Sequence, residues 1–429
     1  MSTTRSAAAL ILLLGVCAGS AAPSALAQTA GARTPACGEQ RDVEPGLMSE
    51  AVYNRMNTAF ELIGEEAYAE ARERFQDLAE SNLSEFEQAT VEQALGFLAS
   101  QREDYRAAIA HFSEAVRLDQ LRNEAHFSMI LQIAQLHNAL EEYDEALEQL
   151  DFWFCVSDDE AQRVAEVWVL KASLHLQKEE YGQALTAIDE AIGRVDAADE
   201  SWYRLKLGIL LELDRFADAV DVLKILVSLD PDRKQYWLQL SGAHSELGNT
   251  AESMAALRLA YRRGLLDKEG EIVQLAGLLQ EMGSPRQAGE VMQEGIENGY
   301  IEATARNWEL TAGAWYQARE MDRALAAFEA AGALSNSGKI DFQRASIMSA
   351  EEQWEGVRSA AIRALEKGGL TERQEGNAHL LIGMAHFNLG RLDQAEQAFN
   401  QASNYGTLQQ AAREWLKHIA QTRERMASR

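Results

Sequence analysis

Apolar and polar positions recur with the period of an α-helix over residues 236–271. Trp237 and Leu240 share one helical face, and a turn follows at Leu247–Gly248. A second helical pattern then carries a small residue, Ser253, among larger apolar ones. Two short helices cannot bury both of their apolar faces alone. The pattern therefore predicts a helix–turn–helix unit that is stacked between copies of itself.

The copies are marked by a small residue within the second helix of each unit. An aromatic residue often lies three positions before it and a large apolar residue four positions after it, so the three share a helical face. The markers are 33 to 38 residues apart: Ala71, Ala108, Ala146, Ala184, Ala219, Ser253, Ala288, Ala324, Val357 and Ala395. We therefore expect ten helix pairs over residues 49–406. The longer spacings before Ala108, Ala146, Ala184 and Ala395 predict lengthened turns between helices.

The N-terminus has the pattern of a secretory signal peptide, residues 1–27. Arg5 precedes an apolar run at residues 7–16, and a small-x-small cleavage site ends at Ala27. The apolar run is shorter than the ~20 residues that span a bilayer. We expect cleavage after Ala27, export to the periplasm and no membrane insertion of the mature chain. Lipidation of Cys17 is the alternative.

Two further segments flank the repeats. Residues 28–48 contain prolines and glycines and lack a helical period, which predicts an extended leader. Residues 407–429 predict a C-terminal capping helix with one apolar stripe and polar faces. The stripe consists of Ala412, Trp415, Leu416, Ile419 and Ala420. A basic docking site is the alternative interpretation of this helix.

The chain is strongly acidic, with a formal net charge of −27. Such a chain repels phosphate backbones and anionic lipid, so we expect neither nucleic acid nor a membrane surface as a partner. The charge also attracts basic protein segments. Solubility alone is the alternative explanation of the acidity.

Sequence motifs for catalysis are absent: HExxH, GxSxG and GxxxxGK[ST] do not occur. Four histidines, His137, His175, His244 and His386, fall near one repeat position. A row of metal ligands is one interpretation, but a repeated packing environment explains the same pattern. We therefore expect no enzyme activity, no cofactor and no metal site.

Two cysteines, Cys37 and Cys155, remain after signal removal. An even count in an exported chain permits a disulfide, and two free thiols are the alternative. A Cys37–Cys155 bridge would fold the leader back along the first three units.

The repeat resembles the tetratricopeptide repeat, whose period is 34 residues. The resemblance is strongest in two adjacent units, at Tyr203, Phe216, Ala219 and Pro231 and at Trp237, Leu240 and Gly248. It implies an all-α fold: a right-handed α-solenoid of about ten helix pairs with a C-terminal capping helix.

A narrower resemblance covers residues 236–279, 330–339 and 379–390. These stretches resemble the periplasmic tetratricopeptide proteins that accompany TonB systems, in which an ExbB–ExbD complex drives TonB. The resemblance implies a non-catalytic protein-binding scaffold accessory to a TonB/ExbB/ExbD-type complex. Its partners would be components of that complex or a basic periplasmic segment. A scaffold for envelope assembly or polysaccharide export is the alternative.

Family geometry implies that the first helices of the pairs line an inner partner-binding groove. Aromatic residues, methionine and arginine are enriched at interface centres. The predicted groove residues are Arg204, Arg306, Tyr316, Phe342, Met384 and Phe387. For Phe342, Met384 and Phe387, packing in the core between units is the alternative.

Overall fold

The computed structural model describes Arg41, residues 43–157 and residues 164–427. Within these ranges all long elements are α-helices, and a short 3-10 helix lies at Gly406–Leu408. The helices are α1 (Glu50–Gly64), α2 (Tyr68–Ala79), α3 (Glu85–Gln101), α4 (Tyr105–Leu118), α5 (Asn123–Ala139), α6 (Tyr143–Val156), α7 (Ala165–Gln177), α8 (Tyr181–Gly193), α9 (Glu200–Glu212), α10 (Phe216–Leu229), α11 (Lys234–Glu246), α12 (Thr250–Arg262), α13 (Glu269–Glu281), α14 (Pro285–Glu297), α15 (Ala305–Gln317), α16 (Met321–Leu334), α17 (Lys339–Ala350), α18 (Trp354–Lys367), α19 (Glu372–Asn388), α20 (Leu392–Ala402) and α21 (Gln409–Ala427). The predicted all-α solenoid of helix pairs is confirmed.

The chain divides into two compact units, Met1–Lys178 and Glu179–Arg429. The first unit contains α1–α7 and the second contains α8–α21. Within each unit, consecutive helices pack against one another, as in the pairs α3–α4 and α15–α16. In the part of the chain that the structure describes, no helix is both long and apolar enough to cross a membrane.

Within each unit, the marker residues are buried in the core. Nine of the ten are completely buried, and Ser253 is 1% exposed. The hydroxyl of Ser253 forms a hydrogen bond with the hydroxyl of Ser241, at 2.8 Å, so the one polar marker is satisfied. The large residue four positions later is buried as well, for example Phe75 in α2 and Phe399 in α20. A small side chain lets the two helices approach, and the large one fills the space beside it.

The same turn closes each of the ten pairs. The residue two positions before the second helix has a positive φ, from 52° to 74°. In the sixth pair this residue is Gly248, and the next amide, of Asn249, donates to the His244 carbonyl at 2.8 Å. This is the Schellman arrangement that satisfies the last carbonyls of a helix. Glycine occupies the position in three pairs; the other seven residues are Glu66, Glu103, Glu141, Glu179, Asp214, Arg319 and Glu352.

The predicted lengthened turns are wrong for three of the four longer spacings. Helices α3, α5 and α19 each have 17 residues, whereas α7, α9 and α11 have 13. Four residues add about one helical turn, so the helices take up the extra length. Capping boxes at Ser84 and Thr371 start α3 and α19 one turn earlier. Before Ala184 the extra residues fall between α6 and α7, partly outside the described residues.

Helix α21 packs on α20, as a capping helix should. Ala412 and Ile419 are buried, and the Trp415 ring stacks on Phe399 with 5.3 Å between centroids. Arg423 pairs with two carboxylates of α20 at 2.6 and 2.7 Å. Ala420 was expected in the apolar stripe but is exposed. The stripe is therefore narrower than the sequence predicted.

Candidate functional site

All six predicted groove residues lie in the second unit, each on the first helix of a pair. Arg204 is on α9, Arg306 and Tyr316 are on α15, and these three side chains are exposed. The other three, Phe342 on α17 and Met384 and Phe387 on α19, are only partly exposed. The structure therefore separates the predicted set into exposed and packed residues.

Arg204 lines a groove of about 690 Å³ between α9 and α11, which we call the Arg204 groove. Three leucines, two glutamines, a serine, a glycine, an arginine and a tyrosine complete the lining: Ser201, Leu205, Leu207, Gly208, Leu211, Arg233, Gln235, Tyr236 and Gln239. Arg233 pairs with Glu200 at 2.8 Å and with Asp230 at 2.9 Å. None of the ion pairs among the described residues includes Arg204. Its guanidinium is exposed at the lining of the groove, and such a group can contact a carboxylate through two parallel hydrogen bonds.

Tyr236 forms the wall of the Arg204 groove. Its side chain is 3% exposed, and its hydroxyl donates to Glu200 at 2.5 Å. Burial raises the pKa of Tyr236, and the hydrogen bond to Glu200 adds to the effect. The same carboxylate pairs with Arg233 at 2.8 Å, so Glu200 links the buried Tyr236 to the partly exposed Arg233 on this side of the groove.

Tyr316 lines a second groove, of about 300 Å³, between α15 and α17, which we call the Tyr316 groove. Met321, Gln343, Ser346 and Ile347 also line it. Tyr316 itself is 46% exposed. An exposed aromatic ring beside an amide and a hydroxyl suits the contact with a peptide, because the ring supplies area and the polar groups supply direction.

The partly exposed residues of the predicted set belong to apolar clusters. Phe342 packs against the cluster that includes Ala345 and Ile382. Met384 and Phe387 pack beneath α21, where the Phe387 ring lies 5.4 Å from Trp415. The packing alternative describes these three side chains, and a role for them in partner binding stays a prediction.

Three exposed aromatic residues in the first unit were not among the predicted site residues. Tyr53 and Phe60 on α1 and Phe97 on α3 are 56%, 48% and 43% exposed. The Phe60 and Phe97 rings rest on Phe75 and Phe112, each at 5.2 Å. Phe60 and Phe97 lie eleven residues before their markers, where the second unit has Gly208, Gly242, Gly277 and Gly313. A phenylalanine at a repeat position that holds glycine in four later pairs was the signal that could have identified them.

The four histidines of the repeat do not share one environment. His137 Nδ1 lies 2.8 Å from the Glu142 carboxylate. Burial lowers the pKa of His244 and of His386. The described part of the chain contains no group of three His, Cys, Asp or Glu side chains that could hold a metal ion.

Cys155, near the end of α6, is disulfide-bonded. Cys37 lies outside the described residues. The pairing of Cys37 with Cys155 therefore stays a prediction.

Two stretches of the chain match family models described as tetratricopeptide repeat, residues 209–264 and residues 376–405. The first covers the end of α9 and all of α10, α11 and α12, and the second covers most of α19 and all of α20. The chain therefore contains tetratricopeptide repeats. Proteins built from such repeats generally act as scaffolds for protein–protein interaction.

Several solved structures are similar to this chain. A tetratricopeptide repeat protein from Parabacteroides merdae is 11% identical, with 63% of this chain and 100% of that chain covered and a TM-score of 0.38. Naa15/Naa10 bound to HypK-THB is 12% identical over 79% of this chain and 62% of that chain, with a TM-score of 0.42. YrrB, a tetratricopeptide repeat protein with an unusual peptide-binding site, is 14% identical over 43% and 91%, with a TM-score of 0.33. No curated protein matches the chain significantly.

Proposed function

We propose that this chain is a non-catalytic scaffold that holds a segment of a partner protein in the Arg204 and Tyr316 grooves. The observation that carries the proposal is the pair of grooves between successive first helices, each with an exposed arginine or tyrosine. Arginine and tyrosine are among the residues that contribute most to binding at interfaces. The tetratricopeptide repeats support the same function class.

The partner segment is basic overall, with apolar or aromatic side chains and at least one carboxylate. The net charge of −27 attracts a basic segment over long distances. Arg204, in contrast, offers a local contact to a single carboxylate, which includes a chain terminus. The acidic chain thus attracts the positive charges of the segment, while Arg204 attracts a negative charge. Because these two sites prefer opposite charges, one orientation of the bound segment is favoured.

We further propose that the protein is periplasmic and accessory to a TonB/ExbB/ExbD-type complex. The signal-peptide pattern of residues 1–27 and the resemblance over residues 236–279 support this assignment. N-terminal sequencing of the protein from an envelope fraction tests the location. A mature chain that starts at Gln28 supports export, and retained Met1 or a lipid on Cys17 contradicts this cleavage.

A pull-down from envelope extract with the full mature chain tests the binding function. Tyr316→Ala and Arg204→Ala should each lower partner capture by about tenfold. The matched controls are Tyr300→Ala, since Tyr300 is 49% exposed but lies outside the first helices, and Arg262→Ala on α12. Capture of TonB, ExbB or ExbD components supports the accessory role. Capture of envelope-assembly or export proteins supports the alternative instead, and equal capture by all variants rules out these grooves.

A further inference from the structure

The turn between α4 and α5 presents three oxygen atoms to one arginine of the leader. Arg41 Nε donates to Asp119 Oδ1 at 2.6 Å, and one terminal nitrogen donates to Asn123 Oδ1 at 2.6 Å. The other terminal nitrogen donates to the Leu121 carbonyl at 2.5 Å. The Arg41 side chain is 2% exposed. Every nitrogen of the guanidinium therefore has a partner, and the charge is buried beside a carboxylate.

The turn holds these oxygens in a fixed arrangement. Asp119 ends α4 with φ +54°, a left-handed conformation that aspartate and asparagine tolerate better than most residues. Its Oδ1 atom also lies 3.5 Å from Nδ1 of His126, which is completely buried. The Asn123 amide donates back to the Arg41 carbonyl at 3.3 Å. Both the side chain and the backbone of Arg41 are thus bound to the turn.

The described leader residues beyond Arg41 follow the surface of the first unit to α1. At Gly46 an added Cβ would lie 2.8 Å from Phe86 Cβ, so the backbone passes close to the start of α3. The Ser49 amide and hydroxyl donate to Glu87 Oε1 at 2.8 and 2.7 Å. The leader therefore contacts the unit at Arg41 and Gly46, and Ser49, which follows it as the N-cap of α1, is bound to α3.

We propose that residues 119–123 form a guanidinium socket whose ligand is Arg41, and that the socket fastens the leader as a folded strap across the first three helix pairs. The guanidinium contacts the three oxygens through three separate nitrogens, whereas a lysine ammonium carries its three donors on one atom and cannot span the same three positions. An empty socket would leave the Asp119 carboxylate without its cation. In the sequence, Cys37 precedes Arg41 by four residues, which span at most about 14 Å of chain. Because α6 pairs with α5, this arrangement favours the predicted bridge from Cys37 to Cys155.

Trypsin gives a direct test, because it must take the Arg41 side chain into its own pocket to cleave the following bond. The full mature chain is digested briefly under reducing conditions, so that the disulfide does not hold the leader. The cleavage rate after residue 41 is divided by that of the same bond in a synthetic peptide of residues 38–46. Wild type should be protected, and Asp119→Asn should be cleaved roughly tenfold to a hundredfold faster, as the loss of a charged hydrogen bond implies. Asparagine keeps the left-handed turn, so the variant removes the charge and little else.

The control is Asp151→Asn, because Asp151 is a carboxylate of the same unit that pairs with Lys171 at an exposed site. Trypsin should cleave this variant after residue 41 at the wild-type rate. Equal rates for Asp119→Asn and Asp151→Asn would overturn the socket, and so would wild-type cleavage as fast as the peptide. If circular dichroism shows that Asp119→Asn is unfolded, Arg41→Lys decides, since trypsin also cleaves after lysine. Protection of the Arg41→Lys variant equal to that of wild type would overturn the proposal, and loss of protection in a folded chain would support it.

Discussion

At the scale of single residues, the left-handed backbone conformation in the turns was the hardest feature to predict from the sequence. Each helix pair needs one left-handed residue in its turn, and only three of the ten are glycine. Glutamates such as Glu103 gave no turn signal, because side chains other than glycine rarely adopt positive φ. The turn at Leu247–Gly248 was predictable for the opposite reason. The buried markers were predictable too, since close packing repeats the same small side chain in every pair.

Two glycines of the second unit should respond to alanine with opposite signs. An added Cβ at Gly208 or Gly248 meets no atom within 4 Å, so packing does not decide either outcome. Gly208→Ala, inside α9, should stabilise the unit by about 1 kcal/mol through helix propensity. Gly248→Ala, at φ +72°, should destabilise it by about 1–2 kcal/mol through strain. Urea unfolding measures both, and a shift of the same sign in the two variants would contradict the assigned turn.

Acid should destabilise the first unit through His126. Burial lowers the pKa of His126 to about 3, against an ordinary value of 6.5, and the nearby Arg41 charge acts in the same direction. The folded chain therefore keeps a neutral ring where the unfolded chain binds a proton. The stability that this neutral ring contributes is complete above pH 6.5 and is lost as the pH falls toward 3, by up to about 4 kcal/mol.

His126→Leu removes this proton site while keeping an apolar side chain. Urea unfolding between pH 7 and pH 4 should show a shallower loss of stability in the variant than in wild type. Parallel pH profiles would show that His126 titrates alike in the folded and unfolded chains.

At the scale of helices, the number and order of the helix pairs were easier to predict from the sequence than the length of each helix. Periodicity and the markers placed all ten pairs, because each pair must bury the same face. The 17-residue helices escaped prediction because sequence spacing does not say whether extra residues extend a helix or a loop. Capping residues carried that information, as the Ser84 and Thr371 capping boxes show.

The capping helix α21 should depend on its aromatic contact more than on its ion pairs. Trp415 stacks on Phe399 with an interplanar angle of 8° and also contacts Phe387. Trp415→Ala should therefore destabilise the second unit by about 3 kcal/mol. Arg423→Ala removes two exposed ion pairs and should cost less than about 1 kcal/mol. Unfolding midpoints of the second unit compare the two, and a larger effect of Arg423→Ala would mean that charge holds the cap.

At the scale of the whole molecule, the sequence predicted the fold class but not which of the six proposed groove residues are exposed. Arg204 and Tyr316 line grooves, whereas Phe387 is packed by a helix that lies 22 residues further along the chain. Periodicity assigns a residue to a helix face, and tertiary packing then decides whether a neighbour covers that face. A comparison of equivalent repeat positions could have pointed to Phe60 and Phe97, but their exposure depends on the packing around them.

A salt titration of partner capture should distinguish the contribution of the net charge from the contribution of the Tyr316 groove. The net charge of −27 acts through solvent, and its reach falls from about 10 Å at 0.1 M salt to about 3 Å at 1 M. Capture of a basic partner should therefore weaken steadily as salt rises. Tyr316 contributes apolar area, which salt does not screen, so Tyr316→Ala should lower capture by a similar factor at every salt concentration. The measurement is a pull-down with wild type and variant side by side from about 0.05 to 1 M NaCl. If capture does not change with salt but falls in Tyr316→Ala, the groove is the binding site and the partner is not basic. The two conclusions are separable because charge acts over a long distance, whereas the tyrosine acts only in direct contact.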